Sequence, residues 1–144
     1  MSHYLYYDKG IVGKQTNSKN ELLAAAYFLN CPNDFIIPII SVSFRTQSYT
    51  MARGLDNMGY GEPALIPWLQ RCYNWMKENQ VSHNDIHINP SRPNIVRYKG
   101  SYRLIDLEQC NIYRSSAKDF FLIGQLINRI ERNIREDQTA YFFQ

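Results

Sequence analysis

Two short apolar stretches, at residues 94–98 and 102–105, constrain this chain most, because only Lys99-Gly100 and one further residue separate them. Short runs rich in branched and aromatic residues on either side of a glycine-containing turn predict a β-hairpin. So short a turn brings the two ends of a hairpin together. We therefore expect Asn94, at the start of the first strand, to lie beside Asp106, which follows the second.

Asp85 lies upstream of this hairpin, at the end of the run His83-Asn84-Asp85. Phosphoryl transfer needs a group that accepts the proton of an attacking hydroxyl, and oxygen ligands that hold Mg²⁺ on the phosphates. Asp85 can take the first part, and Asn94 and Asp106 the second. Any one of these residues could instead be a turn former that bonds its own backbone. Their order around one hairpin favours the chemical interpretation.

Three short motifs in this region are His83-Asn84-Asp85, Asn94-Ile95-Val96 and Ile105-Asp106-Leu107-Glu108. Together they resemble the catalytic and metal-binding motifs of the protein-kinase-like superfamily, and in detail the choline-kinase and aminoglycoside-phosphotransferase branch. The family places its Asn five residues after the catalytic Asp, whereas Asn94 follows Asp85 by nine residues and Asn89 by four. Asn94 takes the metal role because it leads directly into a strand. Residues 88–92 are then a loop insertion, with Asn89 as the alternative.

The resemblance implies an ATP- and Mg²⁺-dependent phosphotransferase. Asp85 would be the catalytic residue that orients or deprotonates the acceptor hydroxyl, and Asn94 and Asp106 would bind the metal. Lys14 would bind the α- and β-phosphates, held there by Glu21 from the following helix.

Some roles have an alternative that the sequence leaves open. Ser-x-x-Glu ending at Glu21 is also a capping box, in which the glutamate satisfies a backbone amide. Met51 and Arg53 end a predicted strand where the family offers backbone groups to the adenine ring, so both are expected to bind the nucleotide; an edge strand and a turn is the other interpretation. Asp119 resembles the aspartate that anchors the catalytic loop, although a first-turn carboxylate also suits the helix dipole. His87 is expected to face solvent.

The expected fold is α+β, a minimal two-lobe kinase-like domain. Residues 1–55 would form a reduced N-lobe with a small antiparallel sheet and one helix. Residues 56–144 would form a helical C-lobe that carries the catalytic hairpin. Further strands are predicted at residues 4–7, 11–14, 35–40 and 48–52, and helices at residues 22–29, 63–80 and from Asp119 onward.

Length and composition bound the function. With 144 residues the chain can build one domain or two small lobes, and three scattered cysteines favour a reducing compartment over a disulfide scaffold. No run is long enough to span a membrane, and the net charge of +3 comes without an aromatic and basic cluster, so neither a membrane span nor nucleic acid is expected. The chain is expected in the cytoplasm or, by analogy with minimal effector kinases, secreted into a host cell.

A serine or threonine of a protein is the preferred acceptor, because a small metabolite needs a walled pocket and a protein brings its own surface. The sequence leaves open an activating protein partner that completes the nucleotide site. One alternative is a small-molecule kinase of the choline or aminoglycoside type, favoured by the Asp-x-Glu form of the metal motif. Another is a catalytically dead pseudokinase that serves as a binding module. It is favoured by the lack of a glycine-rich loop before Lys14 and by the lengthened catalytic loop.

Overall fold

Two strands followed by one helix recur three times in the parts of the chain that the computed structural model describes, residues 2–6, 9–55, 62–87 and 94–142. In chain order these elements are β1 (Ser2–Tyr6), β2 (Ile11–Thr16), α1 (Lys19–Asn30), β3 (Ile39–Ser43), β4 (Ser48–Ala52), α2 (Leu65–Asn79), β5 (Ile95–Tyr98), β6 (Ser101–Leu104) and α3 (Ala117–Phe142). The α+β class is confirmed. Among these helices none is long and apolar enough to cross a membrane.

A four-stranded antiparallel sheet, in the order β1-β2-β4-β3, positions the first half of the site. Its register places Lys14 of β2 opposite Tyr4 on one side and Tyr49 on the other. Helix α1 begins after Ser18, whose hydroxyl accepts the backbone N–H of Glu21 at 3.2 Å, as a capping residue does. The cap sets the start of the helix, and the helix carries Glu21 towards β2.

The hairpin predicted around Lys99 and Gly100 is confirmed. Strands β5 and β6 pair from Ile95 opposite Leu104 to Tyr98 opposite Ser101. The two turn residues have φ angles of 46° and 78°. Positive φ at both central positions is the turn geometry that matches the twist of a two-residue hairpin.

The strand predicted at residues 35–40 is displaced, because β3 begins at Ile39. The backbone just before it pairs elsewhere: Leu104 of β6 donates to the carbonyl of Phe35 at 2.7 Å, and Ile37 donates to the carbonyl of Leu104 at 3.0 Å. Residues 35–37 therefore join the four-stranded sheet to the hairpin. Strand β2 also extends two residues past Lys14, which places this lysine inside a strand.

The segment after β4 is tied to the hairpin as well. Leu55 and Arg97 exchange two backbone hydrogen bonds, at 2.8 and 3.0 Å. Helices α2 and α3 pack against each other. One cluster of buried apolar side chains runs from the sheet through the hairpin to these helices, and it includes Val12, Phe28, Leu104, Leu69 and Leu126.

Candidate functional site

A buried ion pair lies where β2 meets α1. Lys14 Nζ is 2.7 Å from Glu21 Oε2, and the two side chains are 4% and 0% exposed. The hydroxyl of Tyr49 donates to the same carboxylate oxygen at 2.7 Å. A charge so deeply buried is stable only when it is paired and hydrogen-bonded, so these three side chains hold one another in place.

Burial by itself would lower the pKa of Lys14. Tyr4, the hydrogen bond to Glu21, and the charges of Glu21 and Asp106 act in the opposite direction, and the net result is a pKa raised above the usual 10.5. The lysine is therefore a fixed cation at neutral pH. Three electrostatic partners surround its ammonium group: Tyr4 from β1, Glu21 from α1 and Asp106 from the end of β6.

Asp106 is the second anionic partner of Lys14, at 3.5 Å between Nζ and Oδ1. Its side chain is 29% exposed, so this carboxylate lies at the edge of the buried pair and can be reached by a ligand. Its backbone has a φ of 65°, an uncommon conformation for a residue with a side chain. Residues held in this region often occur at functional sites.

Asn94 connects the hairpin to Asp85. Its side-chain Nδ2 donates to the main-chain oxygen of Asp85 at 2.6 Å and to Oδ2 of the same residue at 3.2 Å. Its main-chain oxygen accepts from Ile105 N at 2.9 Å, next to Asp106. Since the amide nitrogen is committed to Asp85, the amide oxygen is the atom of Asn94 that could ligate a cation.

The loop that carries Asp85 is fixed from two directions. The carboxylate of Asp119, at the start of α3, accepts the backbone N–H groups of His83 and Asn84 at 2.9 and 2.8 Å. The ring of His83 bonds the carbonyl of Ile105 through Nε2 at 2.8 Å, and its Nδ1 accepts Asp85 N–H at 3.2 Å. These contacts require the tautomer with hydrogen on Nε2. The expected anchoring role of Asp119 is confirmed.

Most of the residues assigned from the sequence thus form one connected group. Lys14, Glu21 and Asp106 are in direct contact, and Asn94 and Asp85 are in direct contact. Backbone pairing through residue 105 joins the two sets. Asn89, the alternative metal ligand, lies outside the described residues.

Met51 lies near the end of β4, and Arg53 directly follows that strand. Met51 is buried in β4 opposite Val12, while Arg53 is exposed and its N–H donates to the carbonyl of Gly10 at 3.0 Å. An adenine contact by Arg53 would therefore have to use its carbonyl or its side chain. Arg53 also lines a cavity of about 680 Å³ together with the tip of the hairpin, and none of the charged residues of the site lines this cavity.

The sequence does not predict that three further residues, Tyr49, Tyr4 and His87, contact the site. Tyr49 bonds Glu21, and the ring of Tyr4 lies 5.2 Å from Lys14 Nζ. His87, assigned to solvent, is 44% exposed, but its Nε2 lies 3.0 Å from Asp85 Oδ1. The two tyrosines lie opposite Lys14 because of the strand register, and the register cannot be predicted from local sequence patterns.

A divalent cation could be held by the oxygen atoms of Asn94 and Asp106. Mg²⁺ prefers oxygen ligands and is commonly held by one or two carboxylates together with waters and substrate phosphates. Over residues 2–6, 9–55, 62–87 and 94–142 no three His, Cys, Asp or Glu side chains form a metal-binding group. The donors that are present thus fit a cation shared with phosphate oxygens better than a cation caged by protein alone.

No protein-family model matches the chain, and comparison with curated proteins finds no significant match. A functional assignment therefore depends on the geometry of this site.

Proposed function

We propose that this chain is an ATP- and Mg²⁺-dependent phosphotransferase that moves the γ-phosphate to a serine or threonine hydroxyl of a protein. The observation that carries the proposal is the connected set of charges: the buried pair of Lys14 and Glu21 reaches Asp106, and backbone pairing links Asp106 to Asn94 and Asp85. A fixed cation, two oxygen donors and a separate carboxylate are the parts that phosphoryl transfer requires.

Each residue then has one task. Lys14, aligned by Glu21, binds phosphate oxygens, and Asn94 and Asp106 hold Mg²⁺. Bound Mg²⁺ supplies charge neutralisation on the phosphates. Asp85 orients the acceptor hydroxyl and accepts its proton. The minimal two-lobe kinase-like arrangement belongs to this proposal, supported by the sheet with its Lys–Glu pair and by the hairpin that ends at Asp106.

A protein acceptor is supported by the exposure of the site. The side chains of Asp85 and Asp106 are 26% and 29% exposed, which suits an acceptor presented on another protein's surface. An activating protein partner, and action in the cytoplasm or as an effector in a host cell, belong to the same proposal. The Asp-x-Glu form of the metal motif still favours a small-molecule acceptor of the choline or aminoglycoside class as the alternative.

A second candidate is a nucleotide-binding module without catalysis. It is favoured by the ring of Tyr4, which covers the ammonium of Lys14 on the side of β1. The sequence between β1 and β2 favours it too, because these four residues contain one glycine and lack the glycine-rich pattern that covers the phosphates in kinases.

The deciding experiment follows labelled γ-phosphate into protein acceptors in the presence of Mg²⁺ and, in parallel, the rise in melting temperature caused by Mg-ATP. Asp106→Ala is expected to abolish transfer and most of the rise, because it removes the carboxylate that holds the metal. Asp34→Ala, which changes an exposed carboxylate away from the site, is the matched control. Binding of ATP that does not depend on metal would contradict the role of Asp106.

The same assay separates the two asparagines. Asn94→Ala should lower transfer strongly and Asn89→Ala should leave most of it, because Asn94 is held rigidly by the hairpin and by Asp85. The reverse pattern would move the metal role to Asn89. Nucleotide binding without transfer to any protein, aminoglycoside or choline acceptor would establish the binding module, and no nucleotide binding at all would exclude both candidates.

A further inference from the structure

The carboxylate of Asp85 is held by a different donor at each oxygen. Oδ2 accepts from the amide of Asn94 at 3.2 Å, and Oδ1 lies 3.0 Å from Nε2 of His87. His87 follows Asp85 by two residues, so a locally extended backbone can bring the two side chains to the same side. Nothing in the proposed chemistry so far uses this histidine.

We propose that His87 is a positioning residue, which fixes the orientation of the Asp85 carboxylate towards the acceptor hydroxyl; this inference rests on the proposed function. A carboxylate oxygen can accept more than one hydrogen bond, so Oδ1 keeps the capacity to accept the proton of the acceptor. With donors on both oxygens, rotation of the carboxylate about its terminal bond is restricted. Nε2–H is available as a donor in one neutral tautomer and in the charged imidazole alike.

Stability does not account for this contact. The side chains of His87 and Asp85 are 44% and 26% exposed, and partly exposed ion pairs of this kind contribute little to folding. Orientation is more sensitive, because a displacement of about 1 Å of a catalytic group can cost about 10²-fold in rate. The expected effect of removing His87 therefore lies in turnover.

The two histidines of the loop, His83 and His87, make different contacts. His83 is 1% exposed, and both of its ring nitrogens bond main-chain atoms, so it fixes the path of the backbone. His87 contacts the side chain of Asp85, whereas His83 and Asp119 bond the backbone of the loop. A change at His87 can thus alter the carboxylate without unfolding the loop.

The test uses transfer of labelled γ-phosphate by the variants His87→Ala, His87→Gln, Asp85→Asn and His87→Ala combined with Asp85→Asn. Asp85→Asn should lower kcat by about 10²-fold or more with metal-dependent ATP binding intact, as for loss of a general base. His87→Ala should lower kcat by about 10-fold or more with an unchanged KM for ATP. His87→Gln should restore most of the loss, because its Nε2 carries the same donor. His3→Ala, in the exposed part of β1, is the control.

Acting through Asp85, His87 should matter only while Asp85 is present, so His87→Ala should cause no further loss in the Asp85→Asn background. The inference is overturned if His87→Ala retains full kcat, if Gln fails to rescue, or if the two losses multiply. It is also overturned if Asp85→Asn leaves the ¹⁵N signals of the His87 ring unchanged. These results would leave the proposed function in place, whereas no transfer by the wild-type protein would remove both.

Discussion

At the scale of single residues, the site depends on Lys14, which is buried in the sheet. Lys14 is 3% exposed, and its charge is balanced by Glu21 and by Asp106 at the edge of the pair. Burying such a pair is costly in itself, because both ions lose their hydration. Once it is buried, each partner needs the other, and the alignment of Lys14 follows from the position of α1.

This dependence predicts a large loss of stability for Lys14→Met. The variant removes the cation that pairs with the buried carboxylate of Glu21 and keeps the hydrogen bond from Tyr49, so the free energy of unfolding should fall by about 3 kcal/mol, as for broken buried ion pairs. Urea denaturation measures the change. Lys14→Met combined with Glu21→Leu should recover most of it, and the exposed Lys9→Met should stay within about 0.5 kcal/mol of wild type. A single variant as stable as the parent would contradict the argument.

At the scale of elements, the segment after β4 fits the hairpin closely at one glycine. A Cβ atom built on Gly54 would lie 2.3 Å from Cγ2 of Val96 and 3.0 Å from the carbonyl oxygen of Arg97. Val96 is itself buried, at 2% exposure, so it has little room to move. The close approach of the segment to β5 therefore requires glycine, and this approach fixes the hairpin relative to the sheet.

Gly54→Ala is accordingly expected to destabilise the protein by about 2 kcal/mol, the usual cost of overpacking a filled site. The double variant Gly54→Ala with Val96→Ala should cost less than the sum of the two single variants, because Val96→Ala removes Cγ2, the atom nearest to the new methyl group. Gly124→Ala is the matched control: a Cβ there meets nothing within 4 Å, so alanine in helix α3 should stabilise by about 0.5–1 kcal/mol. Chemical denaturation of wild type and the four variants gives the comparison, and equal effects at both glycines would refute it.

The elements also show where prediction from sequence succeeds. The hairpin and β4 are predictable because their signals are local. In β4 buried and half-buried positions alternate, and the hairpin contains a Lys-Gly turn that tolerates positive φ. The strand expected at residues 35–40 is displaced because Phe35 and Ile37 hydrogen-bond Leu104, far away in the chain. The local pattern of apolar residues does not indicate a hydrogen-bond partner so distant in the sequence.

At the scale of the whole molecule, the candidate site also combines contacts that can be predicted from local sequence with contacts that cannot. Asp85, Asn94 and Asp106 are predictable as neighbours because one hairpin and one loop bring them together. Tyr4 and Tyr49 reach Lys14 through the register of β1, β2 and β4, which depends on how the complete sheet assembles.

The molecule as a whole buries several groups that resist losing a proton. Burial raises the pKa of the Cys72 and Cys110 thiols above the ordinary 9.0, and burial followed by the charge of Glu21 raises that of Tyr49 above 10.0. Each keeps its proton to a higher pH when folded than when unfolded. The folded state thus binds more protons at alkaline pH, and stability must fall as pH rises.

The free energy of unfolding, measured in urea with a reductant, should therefore stay level with respect to these groups up to about pH 7.5 and then decline. Near pH 10 the two thiols alone give a slope that approaches about 2.7 kcal/mol per pH unit, to which Tyr49 adds at higher pH. Cys110→Ala should reduce that slope by about 1.4 kcal/mol per pH unit, whatever constant cost its smaller side chain adds. A slope in Cys110→Ala equal to that of wild type would show that this thiol ionises as readily inside the protein as outside it.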